Sequence, residues 1–149
     1  MRKKKVVVDT SCLIALDNIG VMEILCKLYK EVVVPEAVLN EFGEINLGCV
    51  KIKRIRKPLL KFLGHRLNLG RGESEVIIFA FQNKYCAIID DMKARNVAKE
   101  LGIKITGTIG LLLAAEKLGV IDSAYKKVLE LRKKGFYLPD KLLREIKRK

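Results

Sequence analysis

Residues 5–16 read KVVVDTSCLIAL and decide the fold. Residues 5–9 form a β-branched apolar run that ends in an acid, which is typical of a central strand buried on both faces. Thr10 and Ser11 can cap a helix over residues 12–16. The stretch therefore predicts a strand, a tight turn and a helix, with Asp9 at the carboxyl end of the strand.

The same alternation of strand and helix continues along the chain. Pro35 follows a predicted strand at 31–34 and opens a helix at the position that tolerates proline best. The other predicted elements are helices at 21–29, 75–81, 93–101 and 109–118 and strands at 87–90 and 103–105. This order predicts one α/β domain over 1–149, with a central parallel sheet, helices on both faces and a C-terminal helical extension at 122–149.

The chain carries 30 Lys and Arg against 17 Asp and Glu, a formal net charge of +13 over 149 residues. Such a surface attracts polyanions, of which nucleic acid is the commonest and an acidic protein is the main alternative. Abundant charged residues are also typical of proteins that work at high temperature. The composition favours a nucleic-acid-binding protein without identifying one.

The four cysteines, Cys12, Cys26, Cys49 and Cys86, are scattered through apolar stretches. They form no C-x-x-C pair and have no neighbouring histidine that would complete a zinc site, so we expect reduced core thiols. No stretch approaches the ~18 uninterrupted apolar residues of a membrane span. Because Asp9 interrupts the first apolar run, a secretion signal is also not expected. These observations predict a cytoplasmic protein that does not enter a membrane.

Acidic residues stand at the ends of the predicted strands. Asp9 ends the first strand, and Asp90 and Asp91 end the strand at 87–90. Ligands of open parallel α/β sheets bind beyond the carboxyl ends of the strands, so these side chains are expected to meet. The remaining candidates lie on predicted helices that start near the same edge: Glu41, Glu73 and Glu75.

Several carboxylates within a few ångströms repel one another and raise each other's pKa values unless a cation neutralises them. Mg²⁺ and Mn²⁺ prefer hard oxygen ligands, and they can activate a water as nucleophile beside a phosphate. The acids therefore predict a divalent metal site and hydrolysis of phosphodiester bonds. The candidate metal ligands are Asp9, Glu41, Glu73, Glu75, Asp90 and Asp91.

Each acid also has a structural interpretation. Asp9, Asp90 and Asp91 can cap the helices that follow them. Glu41 can be an ordinary surface residue. The two glutamates at 73 and 75 can complement the dipole of their helix, and either can do so while the other binds metal. The choices between Glu73 and Glu75 and between Asp90 and Asp91 stay open.

Five segments carry the chemistry in a characteristic order. They are VVVDTS at 6–11, VPEAVLNE at 34–41, GESEVI at 72–77, IIDDMKAR at 88–95 and ITGTIGLL at 105–112. In order and spacing they resemble PIN-domain ribonucleases, and the last two are similar to a prokaryotic branch related to VapC toxins. The resemblance covers residues 4 to about 120 and implies a single PIN-like domain.

The resemblance implies an endoribonuclease that depends on Mg²⁺ or Mn²⁺. By position, Asp9, Glu41, Glu75 and Asp91 match the family's four acids, and Ser11 matches a supporting hydroxyl. Asp9 and Asp91 would anchor the metal, and the two glutamates would complete its shell or orient the attacking water. Such enzymes are frequently homodimers and toxins of toxin–antitoxin pairs, so a cognate antitoxin protein is an expected partner.

The segment between Glu44 and Glu73 contains no acidic residue. Its cations, together with the basic C-terminal helix, are expected to bind RNA phosphates without reading sequence. These cations include Lys51, Lys53, Arg54, Arg56, Lys57 and Arg71. No aromatic residues cluster in this segment, so the sequence gives little support to a stacking platform for single-stranded bases.

Two alternatives belong to other functional classes. One is a catalytically inactive RNA- or protein-binding module of the same fold, in which the acids serve only as caps and solubilising charges. The other is a phosphate-transfer domain, since Asp90 and Asp91 resemble paired metal-binding aspartates. The second is disfavoured because such folds place the pair at the first strand.

Overall fold

A five-stranded parallel sheet forms the centre of the molecule. The computed structural model describes residues 4–56 and 68–148. Its strands are β1 (Lys4–Val8), β2 (Tyr29–Pro35), β3 (Val50–Lys53), β4 (Cys86–Ile88) and β5 (Ile105–Thr106). They are arranged in the order β3-β2-β1-β4-β5, and every neighbouring pair is parallel.

Eight helices are present in the described ranges. They are α1 (Thr10–Asn18), α2 (Ile24–Leu28), α3 (Glu36–Phe42), α4 (Arg71–Asn83), α5 (Met92–Glu100), α6 (Thr108–Lys117), α7 (Ala124–Lys133) and α8 (Asp140–Arg148). Helix α4 crosses β1, β2 and β4, and α2 packs on β2 and contacts α6. The two last helices continue outward, α7 against α6 and α8 against α7.

The central strands are covered on both faces. Val6, Val7 and Val8 of β1 have no exposed surface, and the same holds for residues 32–34 of β2. Successive residues of a strand point to opposite faces, so complete burial of three in a row requires helices on each side. The predicted α/β fold with a central parallel sheet and flanking helices is confirmed.

The cap of α1 is Asp9, one of the three consecutive polar residues that could supply it, since its Oδ1 accepts the N–H of Cys12 at 2.9 Å. Two local features differ from the sequence expectations. Pro35 is the residue before α3 rather than its first residue. Strand β3 was not predicted, because its sequence VKIK is short, charged and mostly exposed at the sheet edge.

The expectation of four reduced cysteines is wrong, because Cys26 and Cys49 form a disulfide. Cys26 lies on α2 just before β2, and Cys49 immediately precedes β3. The strands β2 and β3 are parallel neighbours, so the segments that enter them come together at the same edge of the sheet. Cys12 and Cys86 are free, as expected. Disulfides are uncommon in the cytoplasm outside hyperthermophiles, and the cytoplasmic location stays a prediction.

The chain changes direction across the sheet at β1. It leaves β1 toward β2 and β3 on one side and later returns to β4 and β5 on the other. The carboxyl ends of β1 and β4 therefore flank the switch point, which is where open α/β sheets bind ligands. Val8 pairs with Ile88 in the register, and the Asp9 N–H donates to the Ile88 carbonyl at 3.1 Å.

None of the helices within the described residues has the length and apolar character needed to cross a bilayer. Lys57, one of the predicted RNA-binding cations, lies outside the described residues.

Candidate active site

Asp9 is a buried carboxylate at the switch point, with only 3% of its surface exposed. Its Oδ1 accepts the N–H of Cys12, and its Oδ2 accepts the N–H of Asp90 at 3.1 Å. Burial raises its pKa to about 7, and the negative charges of Asp90 and Glu73 add to this effect against the two backbone hydrogen bonds. Asp9 therefore stands in a negative environment that a cation would relieve.

A small cavity of about 130 Å³ opens beside Asp9. It will be called the acidic cavity, and it is lined by Asp9, Thr10, Ser11, Glu41, Gly70, Gly72 and Glu73. Glu73 accepts the N–H of Gly70 at 3.3 Å. Partial burial raises the pKa of Glu73, and the nearby carboxylates of Asp91 and Glu41 raise it further. Four carboxylates from four different segments thus influence one another here.

Glu41 is held in the acidic cavity by its neighbours. The hydroxyl of Thr10 donates to its Oε1 at 2.7 Å. Gly72 lies against the same carboxylate, and a Cβ at this position would overlap Glu41 Oε1. A glycine at the start of α4 therefore makes the space in which the end of α3 can present its acid.

Asp90 and Asp91 have different surroundings. Both oxygens of Asp90 are occupied by Thr108, whose N–H and hydroxyl donate at 2.7 and 2.6 Å. Asp91 is the N-cap of α5 and accepts the N–H of Ala94 at 2.9 Å. Asp91 is exposed, and its negative charge raises the pKa of Glu73. Asp90 instead connects the end of β4 to the start of α6.

Glu75 does not line the acidic cavity. It is 2% exposed, and its Oε1 accepts the N–H of Ala37 in the first turn of α3 at 3.0 Å. Its Oε2 accepts from Arg71 Nε at 3.3 Å. One oxygen thus connects α4 to α3 and the other pairs within α4, so the structure brings Glu73 rather than Glu75 to the other acids.

Comparison with known proteins places this arrangement in a family. A family model described as DUF3368, a PIN domain, matches residues 5–149. This chain belongs to the PIN-domain family. The PIN domain described here is also similar to the solved structure of a PilT N-terminus domain protein from the hyperthermophilic archaeon Sulfolobus solfataricus. The TM-score is 0.52, with 24% identity over 74% of this chain and 92% of that chain.

At that identity the structural likeness shows the fold alone. A search of curated proteins gives no match. PIN domains are typically nucleases that act on nucleic acid and usually use divalent metals. The family therefore directs attention to the acidic cavity.

The acids of this PIN domain fit a divalent cation in charge and donor chemistry. They offer hard oxygen atoms, and their mutual repulsion is what a cation neutralises. However, among residues 4–56 and 68–148 no three His, Cys, Asp or Glu side chains are grouped as ligands of one ion. Mg²⁺ is usually held by only one or two carboxylates, with several waters and a substrate phosphate completing its shell.

Several of the predicted RNA-binding cations are engaged within the PIN domain itself. Lys51 pairs with Glu31 at 3.0 Å, and Arg54 pairs with Glu36 at 3.3 Å. Arg71 pairs with Glu75. In the part of the chain that the structure describes, the exposed cations without a carboxylate within 4.0 Å in this group are Lys53 and Arg56.

Sequence reasoning overlooked three contributors to the site. Thr10 was considered only as a helix cap, although it donates to Glu41. Thr108 was not considered, although it holds both oxygens of Asp90. The position of Thr10 gives a usable signal, because a threonine directly after a predicted strand is a frequent helix cap and stands at the ligand-binding edge. Gly72 could be recognised only from its contact with Glu41.

Proposed function

We propose that this PIN domain is a divalent-metal-dependent endoribonuclease that hydrolyses phosphodiester bonds of RNA. The observation that carries the proposal is the buried carboxylate of Asp9, which lies at the switch point of the sheet under the negative charge of Asp90 and Glu73. A protein keeps such a group only when something compensates for its burial. A cation shared with a phosphate is the compensation that suits this position.

In this proposal Asp9 and Glu73 hold the ion together with waters and the substrate phosphate. Asp91 adds negative charge beside Glu73, and Glu41 orients the attacking water. When bound, Mg²⁺ or Mn²⁺ supplies a more acidic water and stabilises negative charge on the phosphate. Thr10 keeps the Glu41 carboxylate in place through its hydroxyl. Ser11 lines the cavity next to Asp9 and can donate to a phosphate oxygen.

Asp90 acts as a positioning residue rather than a ligand. Its two oxygens are engaged by Thr108, and its backbone N–H donates to Asp9. It therefore connects the end of β4, the start of α6 and the buried acid in one hydrogen-bonded group. Glu75 has a similar supporting role between α3 and α4.

Partner and assembly proposals rest on the resemblance to VapC toxins and on charge. We propose a cytoplasmic toxin that forms a homodimer and is silenced by a cognate antitoxin. The net charge of +13 supports binding of an acidic antitoxin segment as well as RNA. Co-expression with the neighbouring reading frame, followed by copurification, tests this part.

The nuclease proposal is tested with Asp9→Asn. End-labelled structured and single-stranded RNAs are incubated with the purified protein and Mn²⁺, Mg²⁺ or a chelator. We expect metal-dependent cleavage that falls by roughly 100-fold or more in the variant, since several kcal/mol of transition-state stabilisation depend on the ion. Asp17→Asn, which changes an exposed aspartate of the same helix, is the matched control and should cleave normally.

A second candidate function is a catalytically inactive RNA-binding module. The observation that favours it is that each oxygen of Asp9 already accepts a backbone N–H and no group of three metal-ligating side chains is formed in the described ranges. Under this alternative, wild type and Asp9→Asn bind RNA equally and leave it intact with every metal. That result in a preparation free of antitoxin would replace the nuclease proposal.

A further inference from the structure

A second cavity adjoins the acidic cavity along α1. It will be called the α1–α7 groove, has a volume of about 300 Å³ and is lined by Ser11, Ile14, Ala15, Asn18, Leu131, Lys134, Gly135 and Phe136. Ser11 lines both cavities. The two cavities therefore meet at Ser11, the first exposed residue of α1 beside Asp9.

One wall of the groove is a single stripe of α1. Positions 11, 14, 15 and 18 are spaced i, i+3, i+4 and i+7, so they share one face of the helix. The stripe runs roughly 10 Å from Ser11 to Asn18, at 1.5 Å per residue. Ile14 in its middle is 45% exposed. This side chain is therefore available to contact a molecule that lies in the groove.

The opposite wall comes from the end of α7 and the residues after it. Phe136 supplies an aromatic ring, and Lys134 supplies a cation. No carboxylate of the described residues lies within 4.0 Å of the Lys134 ammonium. The Asn18 carboxamide at the far end both donates and accepts hydrogen bonds. The groove thus combines an apolar slot, a hydrogen-bonding end and a free positive charge.

We propose that the α1–α7 groove is a nucleobase subsite, which holds the base of a nucleotide whose phosphate lies in the acidic cavity. The inference rests on the proposed function, because it assumes an RNA phosphate beside Asp9. The base stacks on Phe136 and packs on Ile14, its polar edge meets Asn18, and Lys134 pairs with the adjacent phosphate. Stacking of this kind accepts every base, and the carboxamide adds a preference among them.

Charge favours a nucleotide as the occupant. The chain carries a net charge of +13, which attracts a polyanion. A strand of RNA brings the opposite charge and a flat ring on every nucleotide. The groove also shares Ser11 with the acidic cavity, so one nucleotide can contact both.

The test uses the full chain with labelled isoleucine methyl groups, and Ile14 is the reporter. AMP, UMP and ribose 5-phosphate are each titrated in Mg²⁺ and followed by NMR. We expect both nucleotides to shift the Ile14 methyl signal, whereas ribose 5-phosphate affects only residues around the acidic cavity. Phe136→Ala should weaken nucleotide binding by roughly 5- to 100-fold, the range measured for loss of one stacking partner.

Phe81→Ala is the matched control, since Phe81 is an exposed phenylalanine on α4 that does not line the groove. It should bind nucleotides like wild type. Ile14→Gln is a second test variant, because an exposed helix position tolerates this change even if Phe136→Ala fails to fold. Because this variant lacks the Ile14 reporter, its binding is measured by isothermal titration calorimetry beside wild type. It should weaken nucleotide binding and leave binding of ribose 5-phosphate unchanged.

Three outcomes overturn the subsite. They are equal binding of AMP and ribose 5-phosphate, equal effects of Phe136→Ala and Phe81→Ala, and an Ile14 signal that responds to protein concentration rather than to nucleotide. RNA cleavage is measured on the same proteins. If RNA is cleaved but no nucleotide shifts the Ile14 signal, the subsite is wrong and the nuclease proposal stands. If nucleotides bind at Ile14 but no RNA is cleaved, the nuclease proposal is wrong and the subsite stands.

Discussion

Glu73 and Glu75 lie two residues apart on α4, yet their carboxylates have different surroundings. Glu73 lines the acidic cavity, where burial and the charges of Asp91 and Glu41 raise its pKa. Glu75 is almost fully buried and connects the first turn of α3 with Arg71. The reason is helical geometry, because residues two apart point roughly 200° away from each other around the axis.

This difference predicts opposite consequences for two matching substitutions. Glu73→Gln should lower metal-dependent RNA cleavage strongly and leave the free energy of unfolding almost unchanged. Glu75→Gln should instead lower the free energy of unfolding by roughly 1–3 kcal/mol, because a buried charged hydrogen bond is weakened. Chemical denaturation and cleavage assays on both proteins check this. If folded Glu75→Gln lost cleavage while Glu73→Gln kept it, Glu75 rather than Glu73 would be the active-site glutamate.

Asp9 predicts a pH dependence of stability. Its pKa rises from 3.8 in the unfolded chain to about 7 in the fold. Between these values the folded state binds more protons, so the free energy of unfolding falls as pH rises from about 4 to 7. The full loss is roughly 4 kcal/mol at 1.36 kcal/mol per pKa step.

Chemical denaturation without divalent ions gives the free energy of unfolding of wild type and Asp9→Asn across pH 4–8. The change with pH in the difference between the two free energies measures this loss. The variant should be the more stable protein at pH 8, and Mg²⁺ should restore part of the wild-type stability. A difference that does not change with pH would show that Asp9 ionises normally.

At the level of elements, β3 is one of the two edges of the described sheet. It is an edge strand whose residues are largely exposed, and it pairs only with β2 among the described strands. The disulfide between Cys26 and Cys49 connects the residue before β3 to α2. A covalent link across 23 residues of sequence therefore restrains the edge that carries Lys51 and Lys53.

Removal of this link should affect β3 more than the rest of the sheet. Cys49→Ser is expected to lower the free energy of unfolding by about 2–4 kcal/mol, the usual effect of a disulfide that closes a loop of this size. Amide hydrogen exchange of 50–53 should accelerate, whereas that of β1 should not. Cys86→Ser, which changes a free thiol, is the control. Identical denaturation midpoints for oxidised wild type and Cys49→Ser would show that the disulfide adds no stability.

At the level of the whole molecule, a local group of carboxylates stands in a chain that is positively charged as a whole. The group lies at the carboxyl ends of β1 and β4, and the chain carries 30 Lys and Arg against 17 Asp and Glu. RNA is attracted by the net charge of +13 and is repelled locally by the acids unless a cation is bound. Affinity for RNA and occupancy by metal should therefore support each other.

Salt dependence distinguishes free cations from those already paired. Lys53→Gln should reduce the slope of log affinity against log salt by about 0.7, the value of one phosphate contact with single-stranded RNA. Lys51→Gln should reduce it less, because Lys51 already pairs with Glu31. Filter binding from 50 to 300 mM salt measures both slopes. Equal slopes in wild type and both variants would place the RNA on another surface.

The sequence alone predicted the order of the strands and helices apart from β3, and it placed Asp9 and the 90–91 pair at one edge. These features follow from local patterns, because buried β-branched runs form central strands and parallel strands align their carboxyl ends. Helix boundaries were less predictable, as α1 shows by beginning at Thr10 with Asp9 as its cap. Which residue caps the helix depends on the backbone angles at the end of β1. Asp9, Thr10 and Ser11 are all able to act as caps, so the sequence does not decide between them.

Only the tertiary structure decided which acids meet and what lies beside them. It brought Glu73 and not Glu75 to Glu41, paired Cys26 with Cys49, and placed Phe136 and Ile14 in one groove. Phe136 is more than a hundred residues from α1 in sequence, so no local pattern could indicate an aromatic ring beside this helix. Such contacts depend on how helices pack over the sheet, and packing is decided by shape across long sequence distances rather than by neighbouring residues.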